Sequence, residues 1–557
     1  MNCQRPLPTD RDRTRPAKPV CDRLAAIAAG ALLATFAAAT PPATAASHRL
    51  SQGLPFSDVN GLAVSPDGQF AVYSHDAELD QARELWSVRI AGGAPVRLTN
   101  PLPGGVGVLA FRISADSQRV VYTVAQEIAG RIELYSIPIA GPEGAWTKLN
   151  GELPANGNVG EFRISPDSTR VVYFSRQQNI DQDAWTVPID GGTPIRLRPL
   201  VTLAGSRVNF GQDTPLISPD SERVLFYANF SNLAYYDVWS APVDGTGGIV
   251  RLTETTVANS GATLPSFSVD SSRVLYVFVQ ADGTRELYSA PSAGGSSVKL
   301  NGVLPPGGSV WFYTCSPDSS RVVYRADQQT FQVEELYSVP LAGGGAAKLN
   351  ASLPPSGSVS EFRISPDSAS VVYIADQDSS GVLELYRAPL AGGGTVKLNP
   401  TLASNRDITT LEIAPDGGRV VYLADQNHDE VKELFSVPLA GGTSDHLNDI
   451  PVSGGDVQDF TIAPLGGFVF YYGDILTDGL PEILRSRIAG SSSVDVRVSG
   501  PLVAGGAIDP WTWAALPDGR QVVYQADQEV NGRDDLYVGD ICLLCDGFEA
   551  ADSARWD

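Results

Sequence analysis

The chain has 557 residues, 43% of them hydrophobic, which is ample for a large folded core. Its formal net charge is −23, and the sequence contains no basic stripe. We therefore do not expect a nucleic acid or an anionic membrane as its partner. Beyond the N-terminal segment, no stretch approaches the roughly 20 apolar residues that a membrane-spanning helix needs.

Residues 1–45 have the layout of a secretory signal peptide. A basic start is followed by the apolar run LAAIAAGALLATFAAAT and by small residues at Ala43 and Ala45. This order predicts cleavage near Ala45 or Ala46 and export to the periplasm or the exterior. An uncleaved N-terminal anchor is the alternative.

The rest of the chain repeats itself about every 50 residues. The segment SPDSSRVVYRADQQTFQVEELYSVPLAGGGAAKLN at 316–350 returns 49 residues later as SPDSASVVYIADQDSSGVLELYRAPLAGGGTVKLN. Ten copies of the Ser-Pro-Asp marker, some degenerate, begin at Ser65, Ser114, Ser165, Ser218, Ser268, Ser316, Ser365, Ala414, Ala463 and Leu516. A fixed period of this length predicts a repeat architecture.

Each copy contains four short runs rich in Val, Ile, Tyr, Phe and Leu, separated by Pro-, Gly- and Asp-rich turns. In one copy these runs are SVSEFRIS, SVVYIAD, LELYRAPL and TVKLN. Four strands per 50 residues predict an all-β fold, a β-propeller of ten four-stranded blades.

The two ends of the chain indicate how such a ring closes. The last copy lacks a fourth strand, whereas the segment beginning at His48, HRLSQGLP, matches the fourth-strand segment KLNGELP. We therefore expect the N-terminal strand to complete the last blade, which removes an open sheet edge. A linear solenoid and two smaller rings are the alternatives.

The motifs SPDSTRVVY, ELYSVPLAGG and KLN resemble the WD40-like Pro-Asp repeats of TolB and of the propellers in prolyl oligopeptidases. The resemblance covers residues 48–541 of the predicted propeller, residues 46–541, and implies the fold rather than a function. The tail, residues 542–557, contains CLLC, for which a disulfide between Cys542 and Cys545 is the expectation in an exported protein.

Polar residues recur at the same positions of the copies. An Asp stands in the first turn, and an acid opens the third strand in all ten copies, from Glu84 to Asp535. Since a catalytic group is normally unique, this recurrence predicts a structural network of charges and turn hydrogen bonds.

Catalytic motifs are missing from the sequence: it has no GxSxG, no HExxH and no phosphate-binding GxxxxGK[ST]. We therefore expect an exported, non-catalytic binding or scaffold propeller, with a protein or polysaccharide of the cell envelope as partner and with no resident cofactor. The alternative is an exported carbohydrate- or peptide-active enzyme with its site in the central funnel.

Up-and-down strands place the loops after the second and fourth strands on one face. These loops vary in length and carry aromatic residues, which predicts a binding face formed by Phe230, Tyr235, Tyr236, Phe331 and Trp511. Packing of these aromatics on neighbouring blades is the alternative.

Two of these loops also show the alternating oxygen spacing of calcium loops. The first candidate site comprises Asp376, Asp378, Ser380 and Glu384, and the second comprises Asp527, Glu529, Asn531 and Asp535. The closing acid also occurs in copies without the other ligands, which favours a structural role for it.

Overall fold

The computed structural model describes residues 46–51, 59–75, 82–103, 105–177, 182–199, 206–209, 215–231, 236–253, 261–449, 451–490 and 496–540. Every regular element within these ranges is a β-strand. Within the same described residues, no helix is long and apolar enough to cross a membrane.

The strands of the first half of the chain mostly form groups of four, in which three longer strands are followed by a short one. They are β1 (Ala46–Arg49), β2 (Val59–Val64), β3 (Phe70–His75), β4 (Glu84–Arg89), β5 (Val96–Arg97), β6 (Ala110–Ile113), β7 (Arg119–Val124), β8 (Glu133–Pro138), β9 (Thr147–Lys148), β10 (Val159–Ile164), β11 (Arg170–Ser175), β12 (Asp183–Pro188), β13 (Ile195–Leu197), β14 (Val208–Asn209), β15 (Leu216–Ile217), β16 (Arg223–Ala228), β17 (Asp237–Pro242), β18 (Val250–Arg251), β19 (Gly261–Phe267), β20 (Arg273–Val279), β21 (Arg285–Pro291) and β22 (Val298–Lys299).

The second half continues the same pattern. Its strands are β23 (Val310–Cys315), β24 (Arg321–Ala326), β25 (Glu335–Pro340), β26 (Ala347–Lys348), β27 (Val359–Ile364), β28 (Ser370–Ala375), β29 (Glu384–Pro389), β30 (Val396–Lys397), β31 (Ile408–Ile413), β32 (Arg419–Ala424), β33 (Glu433–Pro438), β34 (Asp445–His446), β35 (Val457–Ile462), β36 (Phe468–Gly473), β37 (Glu482–Arg487), β38 (Val496–Arg497), β39 (Ile508–Ala515), β40 (Val522–Ala526) and β41 (Asp535–Asp540).

These strands form ten antiparallel sheets, which we number as blades 1 to 10 in chain order from β2. Within a blade the strands pair in sequence order, as in β27-β28-β29-β30 of blade 7. Blade 4 differs because its first strand is divided into β14 and β15, both of which pair with β16. The predicted blade architecture is confirmed.

Blade 10 is closed by the N-terminal strand, as the sequence predicted. β1 pairs antiparallel with β41, with His48 opposite Val538 and Arg49 opposite Tyr537. Leu50 is buried beside them, and Ser51 Oγ donates a hydrogen bond of 2.7 Å to Asp535. The edge of β41 is therefore covered.

The hydrophobic core consists of ten clusters, each of which joins one blade to the next. One cluster combines Val523 and Val538 of blade 10 with Val59 and Tyr73 of blade 1. The other nine link the remaining successive pairs of blades. Because ten blades share ten successive interfaces, the blades form one ring rather than two.

The first strand of each blade lies on the inside of this ring. First strands of neighbouring blades contact each other, as β27 contacts β31 and β2 contacts both β39 and β6. Strands converge in this way only near the axis of a propeller. The first strands therefore form the inner wall, and the short fourth strands form the rim.

Candidate functional site

The turn at the Ser-Pro-Asp marker, complete or degenerate, connects the first two strands of each blade. In blade 6, Ser316 Oγ donates to Asp318 Oδ1 at 2.6 Å, and the same carboxylate accepts the N–H of Ser320 at 2.9 Å. The Arg321 N–H returns to Ser316 Oγ at 3.0 Å. These bonds satisfy the polar groups of the tight turn. They also lower the pKa of Asp318 to about 2, with the hydrogen bond from Ser316 as the largest cause.

A second serine of the same turn joins neighbouring blades. Its hydroxyl accepts the N–H of the turn aspartate in the preceding blade, at 2.9–3.1 Å, and it does so at Ser117, Ser168, Ser221, Ser271, Ser319 and Ser368. All six serines have left-handed backbone, with φ between 57° and 65°. Non-glycine residues seldom adopt this conformation, so the contact between blades offsets its cost.

The acid that opens the third strand pairs with a base on the fourth strand in every blade. Nine of the ten acids are buried, and the tenth, Glu286, is partly buried. The pairs are Glu84 with Arg97, Glu133 with Lys148, Asp183 with Arg196, Asp237 with Arg251, Glu286 with Lys299, Glu335 with Lys348, Glu384 with Lys397, Glu433 with His446, Glu482 with Arg497, and Asp535 with Arg49 of β1. The predicted structural network is confirmed, and its groups are engaged in holding the fold.

The predicted binding loops place their aromatic residues differently from one another. Phe230 is 2% exposed and packs in the core against Phe226 and Trp239, with ring centroids 6.3 and 5.3 Å away. The prediction that Phe230 is an exposed binding residue is therefore wrong. Tyr236 is partly buried against the core between blades 4 and 5, and Tyr235 lies outside the described residues.

Phe331 and Trp511 are exposed, by 49% and 81%. Phe331 follows the second strand of blade 6, as predicted, and its ring lies against Gly307 of the same blade. Trp511 lies within β39, the first strand of blade 10, and not in a crossover loop. The pairing register of β39 with β40 shifts between Ile508 and Trp513. Trp511 is one of the extra β39 residues at this irregularity. Trp511 thus belongs to the inner wall.

The residues of the calcium hypothesis have protein partners. Asp376 is 6% exposed and accepts the N–H groups of Ser358 at 2.6 Å and Gly381 at 3.0 Å. Glu384 accepts the Leu402 N–H at 3.0 Å and pairs with Lys397 at 2.5 Å, and Asp378 pairs with the same lysine.

The side chains of the second calcium candidate also have protein partners. Asp527 accepts the N–H groups of Ala507 and Gly532, and Asp535 pairs with Arg533 at 2.8 Å. Glu529 pairs with Arg49 at 2.7 Å, and the Asn531 side chain lies against Gly505. Within the described ranges no group of three or more His, Cys, Asp or Glu could hold a metal ion. Asp376, Glu384 and Asp527 thus cap main-chain N–H groups, and Asp378, Glu529 and Asp535 pair with bases. Calcium binding by these loops stays a prediction.

The inner wall of blades 5 and 6 carries three exposed apolar side chains that the sequence analysis missed. They are Leu264 on β19 with Trp311 and Phe312 on β23, which are 45%, 44% and 49% exposed. The Phe312 ring also packs edge-on against Phe362 of blade 7, with centroids 5.5 Å apart. The Tyr313 hydroxyl donates to the Leu264 carbonyl, which joins the two strands. We call these three residues the wall patch.

Two features distinguish the wall patch from the same positions of other blades. In blade 7, Ser360 and Glu361 replace Trp311 and Phe312 in the strand register. Leu264 has φ of 53°, a left-handed conformation that is unusual for a branched side chain. The sequence signal for this patch was the pair Trp311-Phe312 in a first strand, at the positions where blade 7 has Ser360-Glu361.

Charged side chains occupy other parts of the inner strands. Arg163 pairs with Glu161 at 3.2 Å, and Arg363 pairs with Glu361 at 2.5 Å. Arg112 lies over the ring of Phe162, 5.9 Å from its centroid, and burial followed by repulsion from Arg163 lowers its pKa. The inner wall thus combines aromatic, apolar and ion-paired surface.

The fold and this wall define the class of the protein, a ten-bladed β-propeller whose inner strands differ from blade to blade. No protein-family profile and no curated protein matches the chain. The predicted disulfide of Cys542 and Cys545 lies outside the described residues.

Solved propellers are distantly similar to the chain. A putative TolB from Agrobacterium tumefaciens shares 18% identity over 44% of this chain and 80% of its own, with a TM-score of 0.28. Prolyl oligopeptidase B from Galerina marginata shares 12% over 68% of this chain and 56% of its own, with a TM-score of 0.35. An oligogalacturonate lyase in complex with manganese shares 14% over 69% and 99%, with a TM-score of 0.34. Likeness at this level carries no conclusion about activity.

Proposed function

We propose that this protein is an exported, non-catalytic binding module that holds an extended protein or polysaccharide of the cell envelope against its inner wall. The contact surface is the wall patch of Leu264, Trp311 and Phe312, with Trp511 as a second contact on blade 10. The expectation of export rests on residues 1–45, which lie outside the described part of the chain.

The observation that carries the proposal is the exposure of large aromatic side chains on the inner strands. Two tryptophans and a phenylalanine are each at least 44% exposed there. Exposed aromatic clusters mark interaction sites because leaving them in water costs free energy that a partner recovers. Their flat rings suit both sugar faces and peptide side chains.

The recurring polar groups support the same assignment by a different route. The turn aspartates and the third-strand acids have partners within the blades, so they hold the ring together. Trp311, Phe312 and Trp511 depart from the repeat and stay exposed. Binding specificity therefore resides in the departures from the repeat.

A binding titration tests this function. The probes are a panel of neutral and acidic oligosaccharides, soluble peptidoglycan fragments, and a carboxymethylated unfolded protein as an extended polypeptide. We expect saturable binding of one class and a loss of at least tenfold in affinity for Trp311→Ala/Phe312→Ala, since hot-spot truncations cost about 2 kcal/mol or more.

Leu465→Ala is the matched control, because Leu465 is 77% exposed but lies in a turn of blade 9. Equal binding by the control and the wall variant would contradict the proposal. Cleavage of a bound probe would contradict the non-catalytic assignment and favour the enzyme alternative.

A further inference from the structure

The third-strand acid has three kinds of partner in blade 7. Glu384 receives hydrogen bonds from the Tyr386 hydroxyl at 3.1 Å and the Leu402 N–H at 3.0 Å, and it pairs with Lys397 of β30 at 2.5 Å. Other blades repeat parts of this arrangement. A tyrosine hydroxyl reaches the acid in blades 2, 5 and 6, and the Leu102 N–H reaches Glu84 in blade 1.

Blade 8 replaces all three partners of its acid, Glu433. Phe435 stands in the place of Tyr386 and has no hydroxyl, Pro451 stands in the place of Leu402 and has no N–H, and His446 replaces Lys397. The Glu433 side chain is fully buried, and neither of its oxygens receives a well-directed hydrogen bond from the described residues.

In the part of the chain that the structure describes, two imidazoles lie beside the Glu433 carboxylate. His446 Nε2 lies 3.1 Å and His428 Nδ1 lies 3.3 Å from the same oxygen, Oε1. The His446 ring is stacked on Phe435, with centroids 5.0 Å apart, so its position on β34 is fixed. Burial raises the pKa of Glu433, but contact with His446 and then His428 outweighs burial and lowers it.

The other charged groups around this cluster do not replace the imidazoles. Asp445, the neighbour of His446 on β34, pairs with Arg419 at 2.5 Å. Asp429 and Glu430 follow His428 in the exposed loop after β32. At the fourth-strand position where the other nine blades have a lysine or an arginine, blade 8 has His446.

We propose that the outer strand of blade 8 is held by a proton-dependent clamp, in which protonated His446 and His428 neutralise buried Glu433. The other nine blades use lysine or arginine, which stay charged throughout the physiological range. Blade 8 thus differs from them in responding to pH.

The direction of the response follows from the charges. Because the pKa of Glu433 is lowered in the fold, its contribution is present above the ordinary carboxyl value of 4.5 and is lost as pH falls below it. An imidazole ordinarily loses its proton near pH 6.5, and a buried carboxylate without a cation is costly. The clamp is therefore closed at about pH 5–6 and weakens as pH rises towards 8.

Hydrogen exchange of the full chain, followed by mass spectrometry, tests the clamp. The reporter is the Leu447 N–H, which bonds to Leu434 O at 2.8 Å across β33 and β34. The equivalent Leu398 N–H, bonded to Leu385 O at 2.8 Å in blade 7, is the internal reference. Exchange is measured from pH 5.5 to 8.5 in EDTA, so that no stray metal occupies the imidazoles, and is corrected for intrinsic rates.

We expect the opening equilibrium at Leu447 to rise at least threefold across this range, towards the limit of about tenfold per pH unit for one proton, while Leu398 stays constant. His446→Lys should abolish the rise, and Phe435→Tyr should reduce it by restoring a hydroxyl. Lys397→His should give blade 7 a smaller rise, because Tyr386 and the Leu402 N–H remain. An unchanged Leu447 in the parent chain, or the same rise in His446→Lys, would overturn the proposal.

Discussion

Single residues join the blades at the turn, where the hydrogen bond of a serine hydroxyl offsets the cost of its left-handed backbone conformation. Ser168 illustrates this balance, with φ of 63° and a hydrogen bond of 3.0 Å from the Asp116 N–H. At four other blades a glycine takes this place: Gly68, Gly417, Gly466 and Gly519. Glycine accepts the left-handed conformation without strain but gives up the bond.

Two substitutions at Ser168 separate these effects. Ser168→Ala removes the bond and keeps the unfavourable conformation, so it should lower the free energy of unfolding by about 1 kcal/mol. Ser168→Gly removes both the bond and the backbone strain, so the free energy of unfolding should change by no more than about 0.5 kcal/mol. Urea denaturation midpoints measure the difference. The balance is refuted if alanine is tolerated as well as glycine.

The turn aspartates make the protein sensitive to acid. The pKa of Asp318 is about 2, and the hydrogen bond from Ser365 likewise lowers the pKa of Asp367. At Asp67, Asp167 and Asp270 burial raises the pKa, but the turn hydrogen bonds outweigh it and the pKa is lowered.

A lowered folded-state pKa stabilises the protein above the unfolded value of 3.8, and this stabilisation is lost as pH falls through the folded value. We expect the melting temperature to fall between about pH 4 and 2. Asp318→Asn should flatten this fall slightly, because one titrating group is removed. A fall of the same steepness in the variant and the parent would contradict this role of Asp318.

At the scale of the element, the closing strand has the most specific task. β1 supplies the fourth strand of blade 10, and its Arg49 lies 3.7 Å from buried Asp535. Leu50 completes the core between blades 10 and 1. A single strand therefore brings pairing, charge and apolar surface to the junction of the ring.

Removing residues 46–51 should lower the melting temperature and promote aggregation, since it exposes the edge of β41 and leaves Asp535 with one base fewer. Leu50→Ala, which keeps the strand, should cost about 2–4 kcal/mol. Thermal melting with light scattering measures both variants. A truncated chain that melts like the parent would show that the ring does not depend on this closure.

The sequence predicted the elements well because they repeat. Strand number, closure and the structural use of the recurring acids all followed from the fixed period and from the match between HRL and KLN. Phe230 was misplaced because a loop sequence does not reveal that the chain folds back over Trp239. The wall patch was missed because a first-strand residue faces the core or the channel depending on the irregularity in each strand.

At the scale of the whole molecule, the repeat divides the residues into two groups. Recurring turn and third-strand groups hold the blades, and departures from the repeat give the inner wall and blade 8 their individual chemistry. A ring of ten similar blades keeps its stability in many equivalent interfaces. Changes confined to one blade can therefore alter binding or pH response without disturbing the others.

Hydroxyl-radical footprinting of the full chain tests the location of the binding surface most directly. The protein in complex with the probe that binds in the titration is compared with the free protein. Oxidation is followed at Trp311, Phe312, Trp511 and Phe331. The proposed function predicts protection of Trp311 and Phe312, and of Trp511, with Phe331 unchanged. Protection of Phe331 while Trp311 and Phe312 remain as reactive as in the free protein would contradict it.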